Sequence, residues 1–415
     1  MKTMSNIKIA IIGAGASGLA AAVFASYKAE SLGIKADITL FEANSRVGKK
    51  ILVTGNGRCN FTNENVSATH FRGESDFAYN VYSRFDSAKA VEFFRTLGLY
   101  SKSDASGRVY PLSLQATSVL DVLRYEISKN SVKEITDTKV TSLKRSGKGF
   151  LINGSFYADK VILATGGKAA PVQGSDGSGF SLLAPFSIDC SLLLPALTPI
   201  VCQDFTKALK GIRAQGTISV KCDGKTVASD TGEIQYTDYG LSGIPSMQVS
   251  RYAAKLLAEG RKDVVAVVDS APAFSCDELK AMLREIVNSH PGFTGEMLLG
   301  SIMPKKLGAY LLSEISINPM KETGRLHDAV IDRIVSVVKN KKYKISSVKG
   351  FNDAQVTAGG IKAAEINPDT MELKKVKGLY VCGEIVDVDG ECGGYNLQWA
   401  WSSAFAAGTS VIQEN

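Results

Sequence analysis

The chain has 415 residues, 45% of them apolar and 21% charged, with a formal net charge of +7. That is ordinary globular usage, and it excludes a collagen, a coiled coil and a disordered tail. The length suits two or three domains with cores that need no disulfide or metal staple, and a surplus of 48 basic over 41 acidic residues is too mild to mark a nucleic-acid footprint.

Residues 7–12 form a short continuous apolar run, which predicts a buried parallel strand. Gly13, Gly15 and Gly18 follow at once, and an Ala-rich helix is expected over 19–32. A second strand at 37–41 ends in Glu42, which completes a strand–helix–strand unit. The apolar stretch 7–25 has the length of a signal peptide, but Gly13, Gly15, Ser17 and Gly18 break its core. No run of about 18–20 apolar residues occurs, so no membrane span is expected.

Residues 48–63 read as a polar, Gly-rich loop. Helices are expected at 87–97 and 116–129, and a hairpin at 139–153 about Ser146-Gly147-Lys148-Gly149. A further apolar strand at 160–164 runs into Thr165-Gly166-Gly167. Beyond Pro195 and Pro199 the pattern changes to short alternating strands over 200–237. Turns are expected there at Asp223-Gly224 and Thr231-Gly232, and the stretch predicts a separate β-rich domain. A helix at 242–259, a strand at 264–269 and a mostly helical stretch at 276–339 come next. The basic group Lys339, Lys341, Lys342 and Lys344 reads as a solvated linker or face. The first pattern returns after Gly350, with an apolar strand at 378–382, a second Gly-rich loop at 390–396 and a helix at 397–412.

Seven cysteines lie far apart without a C-x-x-C pair, and His70, His290 and His327 show no metal-ligand spacing. This predicts reduced thiols in a cytoplasmic protein and no zinc site. The order G-x-G-x-x-G at 13–18 carries the main chemistry. Gly13 permits a tight turn, Gly15 lets a diphosphate approach the backbone, and Gly18 lets helix and strand pack. The helix start offers oriented N–H groups, and Glu42 can accept from ribose hydroxyls. The fingerprint alone does not separate FAD from NAD. The returning strand, with Gly383, Glu384 and Asp387 after it, favours a two-domain flavin enzyme. Gly174-Ser-Asp-Gly-Ser-Gly179 has the wrong order for a second dinucleotide fingerprint, and no apolar strand precedes it.

Gly-Asn-Gly-Arg-Cys-Asn-Phe-Thr-Asn (55–63), Tyr-Gly-Leu-Ser-Gly-Ile-Pro (239–245), Thr-Ala-Gly-Gly-Ile (357–361) and the block 383–403 resemble the bacterial FAD-dependent flavoprotein family that includes aminoacetone oxidase and 3-dehydro-bile acid delta(4,6)-reductase. The resemblance covers essentially the whole chain. It implies an α/β fold in which a discontinuous Rossmann-type FAD domain of glutathione-reductase kind, residues 1–194 and 351–415, carries two insertions. These are a β-barrel domain, 195–275 with 340–350, and a small helical domain, 276–339.

The resemblance further implies that Gly13, Ala14, Gly15, Ala16, Ser17 and Gly18 surround the FAD diphosphate and Glu42 the adenosine ribose. Ala43, Arg46 and Lys50 lie near the phosphates or ribose, and the loop of Thr54, Gly55 and Asn60 passes beside the flavin. Val140 offers backbone to adenine, and Thr165 and Gly166 close the adenosine side. Gly383, Glu384 and Asp387 meet the diphosphate and ribityl chain. Gly394, Tyr395, Asn396 and Leu397 open the last helix toward the flavin N1/C2=O edge. One departure from the family pattern is Asp238, where relatives carry His.

For catalysis Arg58, Tyr236 and Tyr395 are weak candidates, each of which packing or loop-tying also explains. Cys59 and Cys392 as a redox pair, and His70 as a covalent flavin anchor, are weaker still. The expected function is hydride exchange between flavin N5 and a small organic substrate, by conjugated-ketone reduction or amine oxidation. FAD is noncovalent and NAD(P)H a candidate transient reductant. No nucleic-acid partner and no membrane are expected. An RNA-modifying or RNA-binding flavoprotein and a nonenzymatic flavin sensor are the alternatives.

Overall fold

The computed structural model describes residues 6–324 and 326–412. The chain divides into two compact units. One holds the residues up to Leu194 together with those from Val356 on, and the other is Pro195–Gln355.

The first unit is built on a parallel sheet with strand order Leu379–Val381, Lys160–Leu163, Ile7–Ile12, Ala36–Phe41, Lys133–Ile135. Ile7–Ile12 is central, and Ile9, Ala10 and Ile11 are fully buried. A parallel strand covered on both faces has no solvent side to alternate with, hence the continuous apolar run. Val161 pairs with Leu379, so a strand from the far end of the chain completes the sheet.

Two helices follow the same logic. The opening helix Ala16–Leu32 and the closing helix Tyr395–Ser410 are apolar on nearly every side, as helices enclosed by protein are. They pack on each other: Phe24 meets Phe405 edge-on at 5.3 Å. A Cβ on Gly408 would lie 2.7 Å from the Ala21 carbonyl oxygen. Trp399 and Trp401, two residues apart and so on different faces, are both buried, which contributes on the order of 2–3 kcal/mol each. Each indole N–H finds a carbonyl, Gly383 O at 3.0 Å for Trp399 and Phe61 O at 2.8 Å for Trp401.

The residues 48–63, expected as a loop, instead contain a short helix, Lys49–Val53, and a tight turn, Thr54–Gly57. Leu120 packs under Gly48 so closely that a Cβ there would lie 2.3 Å from its Cδ1, and Ile51 is buried. The expected hairpin strand at 139–144 begins only at Leu143, so Val140 precedes it; Asn153 ties the bend by accepting from Thr141 N at 2.8 Å.

The second unit is a closed six-stranded barrel, in the order Ile200–Cys202, Gly240–Ser242, Lys225–Tyr236, Arg213–Cys222, Val264–Asp269, Lys341–Val348. Asp223 and Gly224, at φ +49 and +77, form the hairpin turn whose twist matches its strands. Thr231-Gly232 is no turn. It lies inside the strand Lys225–Tyr236, and a Cβ on Gly232 would sit 3.1 Å from Cγ of Pro245 on the covering helix Ile244–Ala258. The helices Cys276–Ser289, Gly295–Gly300, Lys305–Glu314 and Asp328–Lys339 belong to the same unit and share its apolar core.

Of the two readings of the lysine cluster, the structure gives a solvated face at Lys342 and Lys344 and no linker. Lys339 ends a helix and pairs with Asp269 at 2.7 Å, while Lys341, Lys342 and Lys344 stand on the last barrel strand. Strand alternation puts Tyr343 and Ile345 in the core and Lys342 and Lys344 outward, while Lys341 shares the Tyr343 side and pairs with Glu314. Among the described residues no helix is long and apolar enough to cross a membrane.

Candidate functional site

The opening turn has three glycines in three conformational roles. Gly13 adopts φ +103, and a Cβ on it would lie 2.5 Å from Ala164 O. A Cβ on Gly18 would lie 1.8 Å from Gly13 O. Both positions seal strand, turn and helix together. Gly15 differs, since a Cβ there meets nothing within 4 Å. It is the N-cap of the opening helix, with no side-chain cap, and the first intrahelical bond runs from Leu19 N to Gly15 O. The N–H groups of Ala16, Ser17 and Gly18 therefore stand at the positive helix end beside open space, the arrangement that binds a phosphate.

Glu42 ends the second strand next to this turn. Its carboxylate accepts from Ala14 N at 3.0 Å and from Asn44 N and Nδ2 at 2.8 and 2.7 Å. Ala43 and Arg46 beyond it are exposed. The opposite wall comes from two loops. Thr165 and Gly166 follow the strand Lys160–Leu163, and a Cβ on Gly166 would lie 3.0 Å from Ser175 Oγ. A Cβ on Gly174 would lie 2.5 Å from Asn44 Nδ2 and 3.9 Å from Glu42 Oε1. The loop 174–179 thus stands beside Glu42. Sequence reasoning set that loop aside and missed Ser175. Its composition was visible, but its neighbour is more than a hundred residues away in the chain.

The closing helix provides a second start of the same kind. Gly394 is its N-cap, at φ +99 and without a side-chain cap. Here a Cβ would lie 2.5 Å from Thr62 O and 2.8 Å from Asn60 Oδ1. The Asn396 amide is fully engaged by Gly390, accepting from its N–H and donating to its carbonyl, both at 2.8 Å. At Asn396 and Leu397 it is the main chain that remains for a ligand. Tyr395 is buried and stacks on His70 at 4.4 Å, and burial with the nearby Glu391 carboxylate pushes its phenol up. His70 Nδ1 accepts from Ser67 N at 3.1 Å, so this nitrogen serves the fold.

Between the two starts lies Gly383. Its N–H donates to Ser403 Oγ at 2.9 Å; it adopts φ +78, and a Cβ there would also lie 2.4 Å from Ser17 Oγ. Glu384 and Lys50 form an ion pair at 2.7 Å, and Glu384 also accepts from Thr357 N at 2.7 Å. Lys50 reaches Ala169 O as well. These two side chains brace three loops rather than pointing out for a phosphate. Asp387 accepts from Ser191 Oγ. In the Gly-rich turn, Thr54 Oγ1 donates to Ile51 O at 2.6 Å, and Arg58 lies over the Tyr110 ring at 5.5 Å, a loop-tying role.

Tyr236, a candidate for catalysis, is 1% exposed in the barrel core. Burial pushes its phenol up to about 12, so it stays a neutral core hydroxyl. Cys59 is buried, and burial drives its thiol up to about 11 against a hydrogen bond to Thr54 that lowers it. It is protonated at neutral pH and a poor redox nucleophile. All seven cysteines are free thiols.

Among the described residues eight buried side-chain polar atoms have no hydrogen-bond partner, and three of them, Asn60 Oδ1, Thr165 Oγ1 and Ser175 Oγ, belong to these loops. Each of the three packs against a glycine, Asn60 against Gly394, Thr165 against Gly179 and Ser175 against Gly166. The open helix end at Gly15, with Glu42 beside it, is what fits a dinucleotide.

Residues 7–410 match the family model described as HI0933-like protein Rossmann domain. The chain is 41% identical over 412 residues to a 3-dehydro-bile acid delta(4,6)-reductase from Clostridium scindens, covering 98% of this chain and 99% of that protein. It is 28% identical to ribosomal RNA dihydrouridine synthases from Haemophilus influenzae, over 97% of this chain and 98% of that protein, and from Escherichia coli, over 99% of each. The chain belongs to the HI0933-like family and is an FAD-dependent oxidoreductase.

Proposed function

We propose that this enzyme saturates a carbon–carbon double bond conjugated to a carbonyl in a small organic substrate, with NAD(P)H as the transient reductant. The observation that carries this reading is the 41% identity, over nearly the whole chain, to a protein named for reducing such a bond in a 3-oxo bile acid. The names of the two more distant relatives support the same bond chemistry, since dihydrouridine is uridine saturated in its base.

Bound FAD supplies hydride transfer at its N5, with the protein providing position and electrostatics. The N–H groups of Ala16, Ser17 and Gly18 hold the diphosphate, and the turn of Gly13, Ala14 and Gly15 leaves it room. Glu42 takes the adenosine ribose, the Val140 backbone the adenine, and Thr165 and Gly166 the adenosine side, with Ser175 added to them. Gly383 and Asp387 meet the ribityl chain, while Lys50 and Glu384 fix the loops around it. The N–H groups at the start of the closing helix carry positive potential that would stabilise negative charge on a flavin bound beside them.

A cytoplasmic setting agrees with seven free thiols. Anaerobic bleaching by NADH or NADPH, followed by addition of a conjugated steroid ketone, tests the reading. The expected result is return of the yellow colour and a product heavier by two hydrogens. Bleaching by amines, with reoxidation by oxygen only, would assign amine oxidation instead.

A second reading, reduction of a uridine in RNA, is favoured by the two dihydrouridine synthases among the relatives. It requires a salt-sensitive RNA gel shift, and no shift at low salt would end it.

A further inference from the structure

We infer that the small antiparallel sheet beside the Gly-rich turn binds the carboxylate arm of an amphipathic substrate. Arg58 and Lys102 take the carboxylate, and Tyr100 and Leu112 take the apolar part next to it. The inference rests on the proposed double-bond reduction and narrows its substrate to an apolar acid.

The sheet has the strand order Thr62–Asn63, Arg108–Pro111, Ser101–Ser103. Lys102 stands opposite Tyr110 and Ser101 opposite Pro111, and Leu112 N donates to Tyr100 O at 2.9 Å, which carries the pairing one residue further. Side chains alternate along a strand, and directly opposed residues share a face. One face therefore carries Tyr110 beside Lys102, with Leu112 beside Tyr100 next to them. Tyr100 and Leu112 are 63% and 56% exposed, an opposed pair of large side chains that leaves a small apolar patch open to a ligand.

The Gly-rich turn brings a second cation to this face. A Cβ on Gly55 would lie 3.8 Å from Tyr110 Cε1, so the turn rests on the edge of the ring, and Arg58 stands over the ring at 5.5 Å. Arg58 Nε reaches Gly55 O at 3.4 Å. Those two contacts hold the stem, while the terminal guanidinium nitrogens have no partner among the described residues. Lys102 is exposed and has no ion-pair partner among them either. The acid on the same strand, Asp104, is already engaged: it accepts from Arg108 Nε at 2.9 Å and from the N–H groups of Ser106 and Arg108. Two cations thus flank one aromatic ring without a carboxylate, and an open apolar pair adjoins them. A neutral apolar ligand would leave both cations unanswered, and a small inorganic anion would leave the apolar pair unused. An acid with an apolar body answers both, and the guanidinium fork suits a carboxylate.

The test uses the full chain loaded with FAD and two probes, a 4-ene-3-oxo steroid with a side-chain carboxylate and its methyl ester. Turnover with NADH or NADPH gives KM, and titration calorimetry with the saturated acid and the saturated ester reads binding without turnover. Wild type is expected to show a KM for the acid at least about tenfold below that for the ester, with the gap shrinking as salt rises. Arg58→Gln is expected to bring the two within about twofold, through a higher KM for the acid. Arg58→Lys is expected to keep part of the gap, because the charge stays and the fork is lost. Lys102→Gln, on an exposed strand, is expected to narrow the gap about threefold. If the Arg58 variants fail to fold, an unchanged gap in Lys102→Gln overturns the inference. Equal values for acid and ester in wild type, or a gap that survives both Arg58→Gln and Lys102→Gln, also overturns it. Wild type that reduces neither probe but binds the saturated acid over its ester in an Arg58-dependent way overturns the reduction reading and leaves the subsite standing. Binding without that preference overturns the subsite whatever the turnover.

Discussion

The two helix starts, at Gly15 and at Gly394, have the same sequence cue and opposite surroundings. Each is a glycine N-cap without a side-chain cap, opening a long buried helix after a Gly-rich turn. Around Gly15 there is open space within 4 Å, whereas a Cβ on Gly394 would press on Thr62 O at 2.5 Å. One glycine leaves open space beside the helix end; the other lets two protein segments approach closely. Glycine at a helix start thus has two distinct uses, and only the neighbours tell which is in play.

The sharpest way to separate packing from binding is Gly18→Ala. Its Cβ would lie 1.8 Å from Gly13 O, and both atoms belong to rigid backbone. Overpacking here is expected to destabilise by about 3 kcal/mol or more. A denaturation midpoint equal to wild type would mean that turn and helix part easily.

Gly394→Ala comes next, with an expected loss of about 2 kcal/mol from positive φ and the contact with Thr62 together. If its unfolding midpoint matched that of Gly15→Ala, the contrast between the two starts would collapse.

Gly15→Val should cost no more than about 1 kcal/mol, since the side chain enters open space and only the poorer N-cap counts against it. The purified protein should nevertheless lose its yellow colour. Retained flavin absorbance would remove the diphosphate from that opening.

The smallest effect concerns Asp176, beside Ser175. Partial burial raises its pKa, but hydrogen bonds from Lys139 and Ser178 outweigh this and hold the carboxyl at about 2. The folded value lies below the unfolded one of about 3.9, so its contribution is present above about pH 4 and fades as pH falls toward 2. Both partners are substantially exposed, which keeps the effect small and salt-sensitive. Thermal midpoints of wild type and Asp176→Asn should converge between about pH 4 and 2; parallel curves would show that the carboxylate is idle.

Much of the first unit was legible because its signals are local. The apolar run 7–12, the spacing of Gly13, Gly15 and Gly18, and Glu42 at the strand end lie within forty residues and describe one supersecondary unit. The barrel was legible as alternating strands, yet Thr231-Gly232 passed for a turn, since the helix that packs over Gly232 comes later in the chain. The resemblance implies Lys50 and Glu384 as cofactor contacts; the structure pairs them with each other across 334 residues of chain. The side-chain amide of Asn396, implied in the same way, bonds to Gly390.

By itself the sequence determined the nucleotide fold, through backbone freedom at glycines and apolar periodicity, which short stretches encode; the cofactor class and the site segments came from the resemblance of its motifs to a known family. Only the tertiary structure decided which polar side chains remain unpaired. That property belongs to pairs of distant residues, and here it distinguishes Asn60, Thr165 and Ser175, whose oxygens have no partner, from Lys50, Glu384 and Asn396, whose polar groups are already engaged.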